Sequence, residues 1–302
     1  MDELKGLVFT ITHGSFVDGH GIRTTVFLKG CPLRCLWCCN PESQEIYPEI
    51  KYTAGECNGC GRCYDLCPLS AIGRDGGRAG IDRNICDNCG SCAEACYRNA
   101  IADFAKWRTV DDVFDDVYRD NSFYMNSGGG VTIGGGEPTL QTGFSRALLD
   151  RLQSKGVHVA FDTCGYTVSE AAFELLRDAD LLLFDLKGLD PEKHRRHTGV
   201  DNSVIVENLK KLNDLGKEII IRLPLIPGFT DDDDDIEAEI DFIGSLKAAR
   251  RVDIIPYHDF ARIKYEQLGR KYPFDIDLVH KTPAEDIRDR FVGAGIAAQI
   301  GG

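Results

Sequence analysis

The sequence predicts an α/β chain: an open, partial (β/α)6 barrel with a small cysteine-rich α+β domain inserted in it. Three observations predict this. From residue 106 onward, short β-branched runs alternate with helix-period segments, as parallel strands joined by right-handed crossovers require. Between residues 49 and 105 a cysteine pattern repeats with a period of 29. Glycine-rich or polar clusters stand just after the strand-like runs, where α/β barrels keep their chemistry. Six or so βα units fall short of the eight of a closed barrel. The expected units are 1–48 with 106–302 for the barrel and 49–105 for the insert.

Composition bounds the function. The 302 residues are 43% hydrophobic and 27% charged, which reads as a globular chain with an ample core. No apolar run reaches the roughly 18 residues of a membrane span, so no membrane role is expected. A net charge of -13 argues against a nucleic-acid partner. Residues Met1 to Lys5 lack the basic and apolar regions of a secretory signal, so a cytoplasmic, reducing compartment is expected. There the 13 cysteines read as metal ligands rather than disulfides.

The elements follow in order. Phe16 to Arg23 is turn-rich, and Thr24 to Leu28 is an apolar, β-branched strand that delivers the chain to Cys31. After the insert, Thr109 caps a helix running to Tyr118. Val131–Ile133 is a short strand ending in Gly134-Gly135-Gly136-Glu137-Pro138. Helices near 143–155, 169–178, 203–215, 231–249 and 283–293 alternate with strands at 157–161, 181–187, 218–224, 252–256 and 296–300. The acidic run Asp231 to Asp235 reads as solvent-facing charge complementing a helix dipole.

Three cysteine groups carry the chemistry. Cys31, Cys35 and Cys38 form C-x3-C-x2-C on one loop, with Trp37 before the last. Three thiolates cannot fully ligate a four-iron cubane, and they leave one iron for a non-protein ligand. Zinc would ask for four closed ligands, or three and water. In the insert, Cys57, Cys60, Cys63 and Cys67 recur as Cys86, Cys89, Cys92 and Cys96. Each run matches the bacterial ferredoxin pattern, in which the fourth cysteine serves the other cluster. That assigns Cys57, Cys60, Cys63 and Cys96 to one four-iron cluster and Cys67, Cys86, Cys89 and Cys92 to a second. Cys39 and Cys164 are left as non-ligands.

The cysteine loop, the Gly135–Pro138 stretch, Asp162-Thr163-x-Gly165, Asp185-Leu186-Lys187, Arg222 through Gly228 and Pro256-Tyr257-His258 together resemble the glycyl radical enzyme activating enzymes of the radical SAM (S-adenosylmethionine) superfamily. The double four-iron insert resembles that of one subgroup of these activators. The resemblance implies a radical SAM barrel holding three [4Fe-4S] clusters and SAM. It implies that Gly135, Gly136, Glu137 and Pro138 hold the SAM amino group, and that Trp37, Asn40, Lys187, Arg222 and His258 line the SAM site. Asp162, Thr163 and Asp185, with the Leu183 carbonyl, would hold a monovalent cation such as Na or K beside the SAM carboxylate. Asp18 and Arg23 would lie where a partner's glycine loop docks, with His20 standing where relatives carry proline.

The implied activity is reductive cleavage of SAM to a 5′-deoxyadenosyl radical that takes a hydrogen atom from a backbone glycine of a partner glycyl radical enzyme. The electron would come from a flavodoxin or ferredoxin, with the insert as inlet. Two other readings are a radical SAM enzyme acting on a small molecule and a non-catalytic electron-transfer protein.

Overall fold

A computed structural model describes residues 3–273 and 282–301. Its strands are β1 (Lys5–Ser15), β2 (Arg23–Leu28), β3 (Ile50–Tyr52), β4 (Ile72–Asp75), β5 (Arg78–Ile81), β6 (Ile101–Asp103), β7 (Lys106–Thr109), β8 (Gly130–Gly135), β9 (His158–Thr163), β10 (Leu181–Asp185), β11 (Ile219–Leu225), β12 (Ala249–Pro256) and β13 (Ala298–Ile300). Nine of them make one sheet in the order β13-β12-β11-β10-β9-β8-β2-β1-β7. From β2 to β13 the neighbours are parallel, seven strands in all. The antiparallel β1 and β7 extend the β2 edge.

The sequence reading missed β1, whose short apolar run Leu7-Val8-Phe9 gives way to polar residues, and β7, which has no such run. It also missed the short helices Asn121–Ser127, Pro191–Thr198 and Arg262–Gln267. The helix expected over 231–249 spans Asp233–Gly244, because Ala249 already starts β12. Asp231 does not face solvent: it is fully buried and its carboxylate accepts the Gly228 N–H at 2.7 Å, holding the turn after β11.

Helices cover the outer face of the sheet. Val113, Val117, Leu148, Leu152, Leu175, Leu176, Leu209, Leu212, Ile240 and Phe291 bury against Val131, Val159, Phe161, Leu182, Phe184, Ile219, Ile221 and Val252. Burying one such side chain contributes about 1.5–3 kcal/mol. Local sequence fixes the helix starts. Thr109 and Asp112 form a reciprocal capping box, and Ser169 accepts the Ala172 N–H.

Strand alternation sets the inner face. Ala160, Leu181, Leu183 and Ile220 form a small buried cluster. Two residues further along their strands stand Asp162, Asp185 and Arg222. Register pairs Leu183 with Asp162 and Asp185 with Arg222, so polar groups sit one layer above an apolar floor.

The insert lies outside this sheet. β3 pairs β6, and β4 pairs β5, each antiparallel. Its core is Ile50, Ile72, Ala79, Cys92 and Ile101.

Candidate active site

The C-terminal ends of the parallel strands enclose a cleft of about 230 Å³, concave and lined by apolar side chains with a few converging polar groups, as ligand clefts are. β2 brings Cys31, Cys35, Trp37, Cys38 and Asn40; β8 brings Gly135 and Gly136; β9 brings Asp162, Thr163 and Cys164. β10 adds Asp185 and Lys187, β11 adds Arg222, and β12 adds Tyr257 and His258.

The cysteine loop is held by the end of the neighbouring strand β8 and by a segment that follows β10. Gly136 N–H donates to Leu28 O at 2.9 Å and Glu137 N–H to Gly30 O at 2.7 Å. A Cβ at Gly136 would stand 2.1 Å from Gly30 O, so only glycine permits this approach. On the far side Arg34 N–H donates to Thr198 O and Leu36 N–H to His197 O. Trp37 packs edge-on against His197 and Phe229. Burial pushes the Cys31 thiol up to about 12 and Cys35 up to about 11, with the Lys187 ammonium opposing. Ligation to iron overrides such a shift, because a metal deprotonates its thiol outright.

The charged floor is paired. Lys187 is 11% exposed and donates to Asp185 at 2.6 Å. Burial alone would lower its pKa, yet Asp185 and Cys35 hold it above the lysine range. Arg222 lies 3.2 Å from the Asp162 carboxylate and 3.7 Å from that of Asp18. Burial, aided by the charges of Asp185 and Asp18 and opposed by Arg222, pushes Asp162 up to about 7. One Asp162 oxygen and the Arg222 Nε are buried with no hydrogen-bond partner among the described residues. Unpartnered buried polar atoms beside three thiols fit a polar ligand that accepts and donates there.

Several expected residues sit elsewhere or act differently. Glu137 and Pro138 are buried and do not line the cleft. The Glu137 carboxylate accepts Thr139 N–H and O–H, Thr163 O–H, Cys164 N–H at 2.8 Å and Cys164 S–H. It is a bracket tying the end of β8 to the end of β9. The Thr163 hydroxyl is accordingly turned to Glu137 and to the Gly165 N–H.

Arg23 is fully buried at the start of β2, beside Gly130 and His158, which begin their own pairings at the other end of the strands. Its guanidinium donates to Thr132 Oγ1 and Val131 O. Asp18 accepts the Ser15 and Thr25 hydroxyls and faces Arg222 inside the barrel. The 16–21 segment therefore stoppers the opening remote from the cleft, and neither side chain is placed to meet a docking protein. His20 is half-exposed there, 3.3 Å from Glu218.

The insert gathers its cysteines by local means. One cavity is lined by Cys57, Cys60, Cys63 and Cys96. Cys67, Cys86 and Cys92 pack on the same small core, and Cys89 is exposed. Amide N–H groups of Ala79, Ala71, Asn88 and Ile101 donate to the sulfurs of Cys57, Cys67, Cys86 and Cys96. Against desolvation, the amide N–H groups of Ala79 and Gly59, with the Tyr52 hydroxyl, hold Cys57 below the ordinary thiol value. Among the described residues no three His, Cys, Asp or Glu are set to hold a single ion; a cubane distributes its ligands over several irons.

Sequence reasoning missed Lys264, on the helix Arg262–Gln267, which donates to Asn40 Oδ1 and Cys39 O at the end of the cysteine loop. No local pattern marks it, since its partners lie more than 200 residues away in sequence.

Comparison with known proteins agrees with this architecture. The radical SAM superfamily model matches residues 88–242, and a 4Fe-4S dicluster domain model matches residues 49–97. The chain is 39% identical to the trans-4-hydroxy-L-proline dehydratase activating enzyme of Clostridioides difficile, over 99% of this chain and 100% of that protein. It is 43% identical to the isethionate sulfite-lyase activating enzyme of Oleidesulfovibrio alaskensis, over 89% and 88%. It is 41% identical to the benzylsuccinate synthase activating enzyme of Thauera aromatica, over 98% and 92%. Among solved structures, a radical SAM methyltransferase from Sphaerobacter thermophilus shares the fold, with a TM-score of 0.52 at 14% identity over 92% of this chain and 66% of that one.

Proposed function

Because the chain belongs to the glycyl radical enzyme activating enzymes of the radical SAM superfamily, we propose that its three cysteine groups hold three [4Fe-4S] clusters with distinct duties. Cys31, Cys35 and Cys38 would hold the cluster that supplies the electron for reductive SAM cleavage, the chemistry by which a hydrogen atom would be taken from a glycine of the partner enzyme. The observation that carries the reading is one cleft joining these cysteines to the polar ends of β8 through β12.

The chain's own residues bind and shield. Gly135 and Gly136 bring backbone to the SAM amino group, as their close packing on the loop permits. Lys187 and Arg222 offer positive charge to the SAM carboxylate, and Asp162 and Asp185 can share a monovalent cation with it. The Thr163 hydroxyl, bound to Glu137, is the weaker candidate for that cation. Trp37, Leu33, Ile226 and Tyr257 keep water from the reacting atoms. No general base or nucleophile is needed.

The insert's two clusters serve as the electron inlet from a flavodoxin or ferredoxin donor. Cys60 and Cys89 are exposed, which suits transfer from outside. The insert, 49–105, is a unit of its own, and the flanking 1–48 and 106–302 form the barrel. The partner's glycine loop enters at the cleft mouth, where Phe260 is exposed and stacks on His258 at 4.5 Å.

The test is anaerobic reconstitution, then mixing with SAM, reductant and a panel of three partners: a hydroxyproline dehydratase, an isethionate sulfite-lyase and a benzylsuccinate synthase. A glycyl-radical doublet by EPR with one of them supports the reading and names the partner class. SAM cleavage that stays unchanged by every glycyl radical enzyme, yet rises with a small molecule, would overturn it.

A further inference from the structure

The cysteine loop ends on Asn40, whose side chain lines the cleft. Its Oδ1 accepts the Lys264 ammonium at 2.8 Å, and the same ammonium donates to Cys39 O at 3.1 Å. A third contact anchors Lys264 itself: the buried Glu42 carboxylate lies 2.6 Å from it.

This arrangement fixes which way the Asn40 amide faces. An ammonium has donors and no acceptor, so only the amide oxygen can turn to it. The NH2 end is then the one left for the cleft. Asn40 O accepts Ser43 N–H and O–H, which pins the backbone on the other side.

The brace is rigid because it is tied at both ends. Lys29, fully buried, donates to the Glu42 carbonyl and to Glu49 at 2.9 Å. Arg270 joins Pro41 O at 2.9 Å to Glu49. The helix that carries Lys264 also packs Tyr265 among Leu33, Cys35 and Trp37. One short segment after β12 thus grips the loop from outside, while Asn40 reaches inside.

We propose that Lys264 is a positioning residue for SAM. By capturing Asn40 Oδ1 it presents the Asn40 amide N–H groups as fixed donors to an acceptor group of SAM. The proposal rests on the reading of the cleft as a SAM site.

Equilibrium SAM binding to the reconstituted holoprotein, together with the EPR change of the reduced cluster on adding SAM, tests it. Lys264→Met at unchanged iron content should weaken SAM binding about tenfold, the scale of one lost oriented hydrogen bond. Lys264→Arg, which still donates, should recover most of this. Asn40→Asp keeps an acceptor for Lys264 and removes the N–H donors, so it should bind SAM as poorly as Asn40→Ala. The double variant Lys264→Met/Asn40→Ala should bind no worse than Asn40→Ala alone.

Wild-type affinity in Asn40→Asp or Lys264→Met would overturn the proposal. So would multiplying effects in the double variant, or loss of the first cluster's iron in Lys264→Met. If Lys264→Met does not fold, Lys264→Gln decides: its amide can accept as well as donate and no longer fixes the Asn40 amide, so SAM binding should weaken, and wild-type affinity there would overturn the proposal. Failure of the wild-type holoprotein to bind SAM would instead overturn the SAM-site reading itself.

Discussion

The barrel loop and the insert both present cysteines to iron, yet they prepare them in opposite ways. In the insert the sulfurs of Cys57, Cys67, Cys86 and Cys96 already accept amide N–H groups from nearby residues. Gly61 and Gly90 adopt the same φ of 83° before equivalent short helices, so the repeat in sequence is a repeat in shape. In the barrel, burial raises Cys31, Cys35 and Cys38, and the loop is held by Thr198, His197, Gly136 and Lys264 from distant parts of the chain. A local device suits clusters that only pass electrons. A loop held by distant parts of the chain suits a cluster that must meet a co-substrate at the ends of five other strands.

The largest effect separates the two regions outright. Cys35→Ala should abolish SAM cleavage with any reductant, and iron should fall from about 12 to about 8 per chain. Cys60→Ala with Cys89→Ala should leave cleavage by a strong chemical reductant intact and slow activation only with a protein donor. Equal loss in both cases would dissolve the proposed division of labour.

Next comes the bracket between β8 and β9. Glu137→Gln replaces a carboxylate that accepts two backbone N–H groups and three side-chain donors. It should cost about 1–3 kcal/mol of stability in denaturant unfolding. Its effect on SAM affinity should be smaller than that of Lys187→Met, which removes a group lining the cleft. A reversed order would move Glu137 from bracket to ligand.

The smallest expected effect lies behind the cleft. Glu239 is buried on the helix Asp233–Gly244, and burial, with Asp235 nearby, pushes its carboxyl up to about 8. A raised acid pKa favours folding while the group stays protonated. Its contribution therefore declines as pH rises from the ordinary carboxyl range through about 8. Glu239→Gln should raise the melting temperature at pH 8.5 by several degrees relative to wild type and leave it nearly unchanged at pH 5. A gain of equal size at both pH values would contradict burial as the cause.

How much was legible in the sequence tracks the same contrast. In the insert, spacing alone made one grouping readable: Cys57, Cys60, Cys63 and Cys96 line one cavity. The parallel strands were readable because β9, β10 and β11 are buried on both faces and so almost continuously apolar. β7 escaped notice because as an edge strand it needs no such run, and β1, inside the sheet, because its apolar start runs into the polar, glycine-containing Thr12 to Ser15. Glu137, Asp18 and Arg23 were placed in the cleft or at its mouth by motif. The structure turns them to the backbone and the barrel interior: Arg23 and Glu137 are fully buried and Asp18 largely so, and such a charge answers to its nearest donors and acceptors rather than to its motif. Lys264 was invisible, since nothing near it in sequence hints at Asn40.

The central claim is that the chemistry begun in this cleft ends on a partner's glycine. The most direct measurement is transfer of label: the partner enzyme is prepared in its unactivated form with its glycines α-deuterated and mixed with the reduced holoprotein and SAM. The account predicts one deuterium appearing in 5′-deoxyadenosine for each glycyl radical formed. 5′-Deoxyadenosine formed without deuterium, alongside a partner that gains no radical, would contradict it.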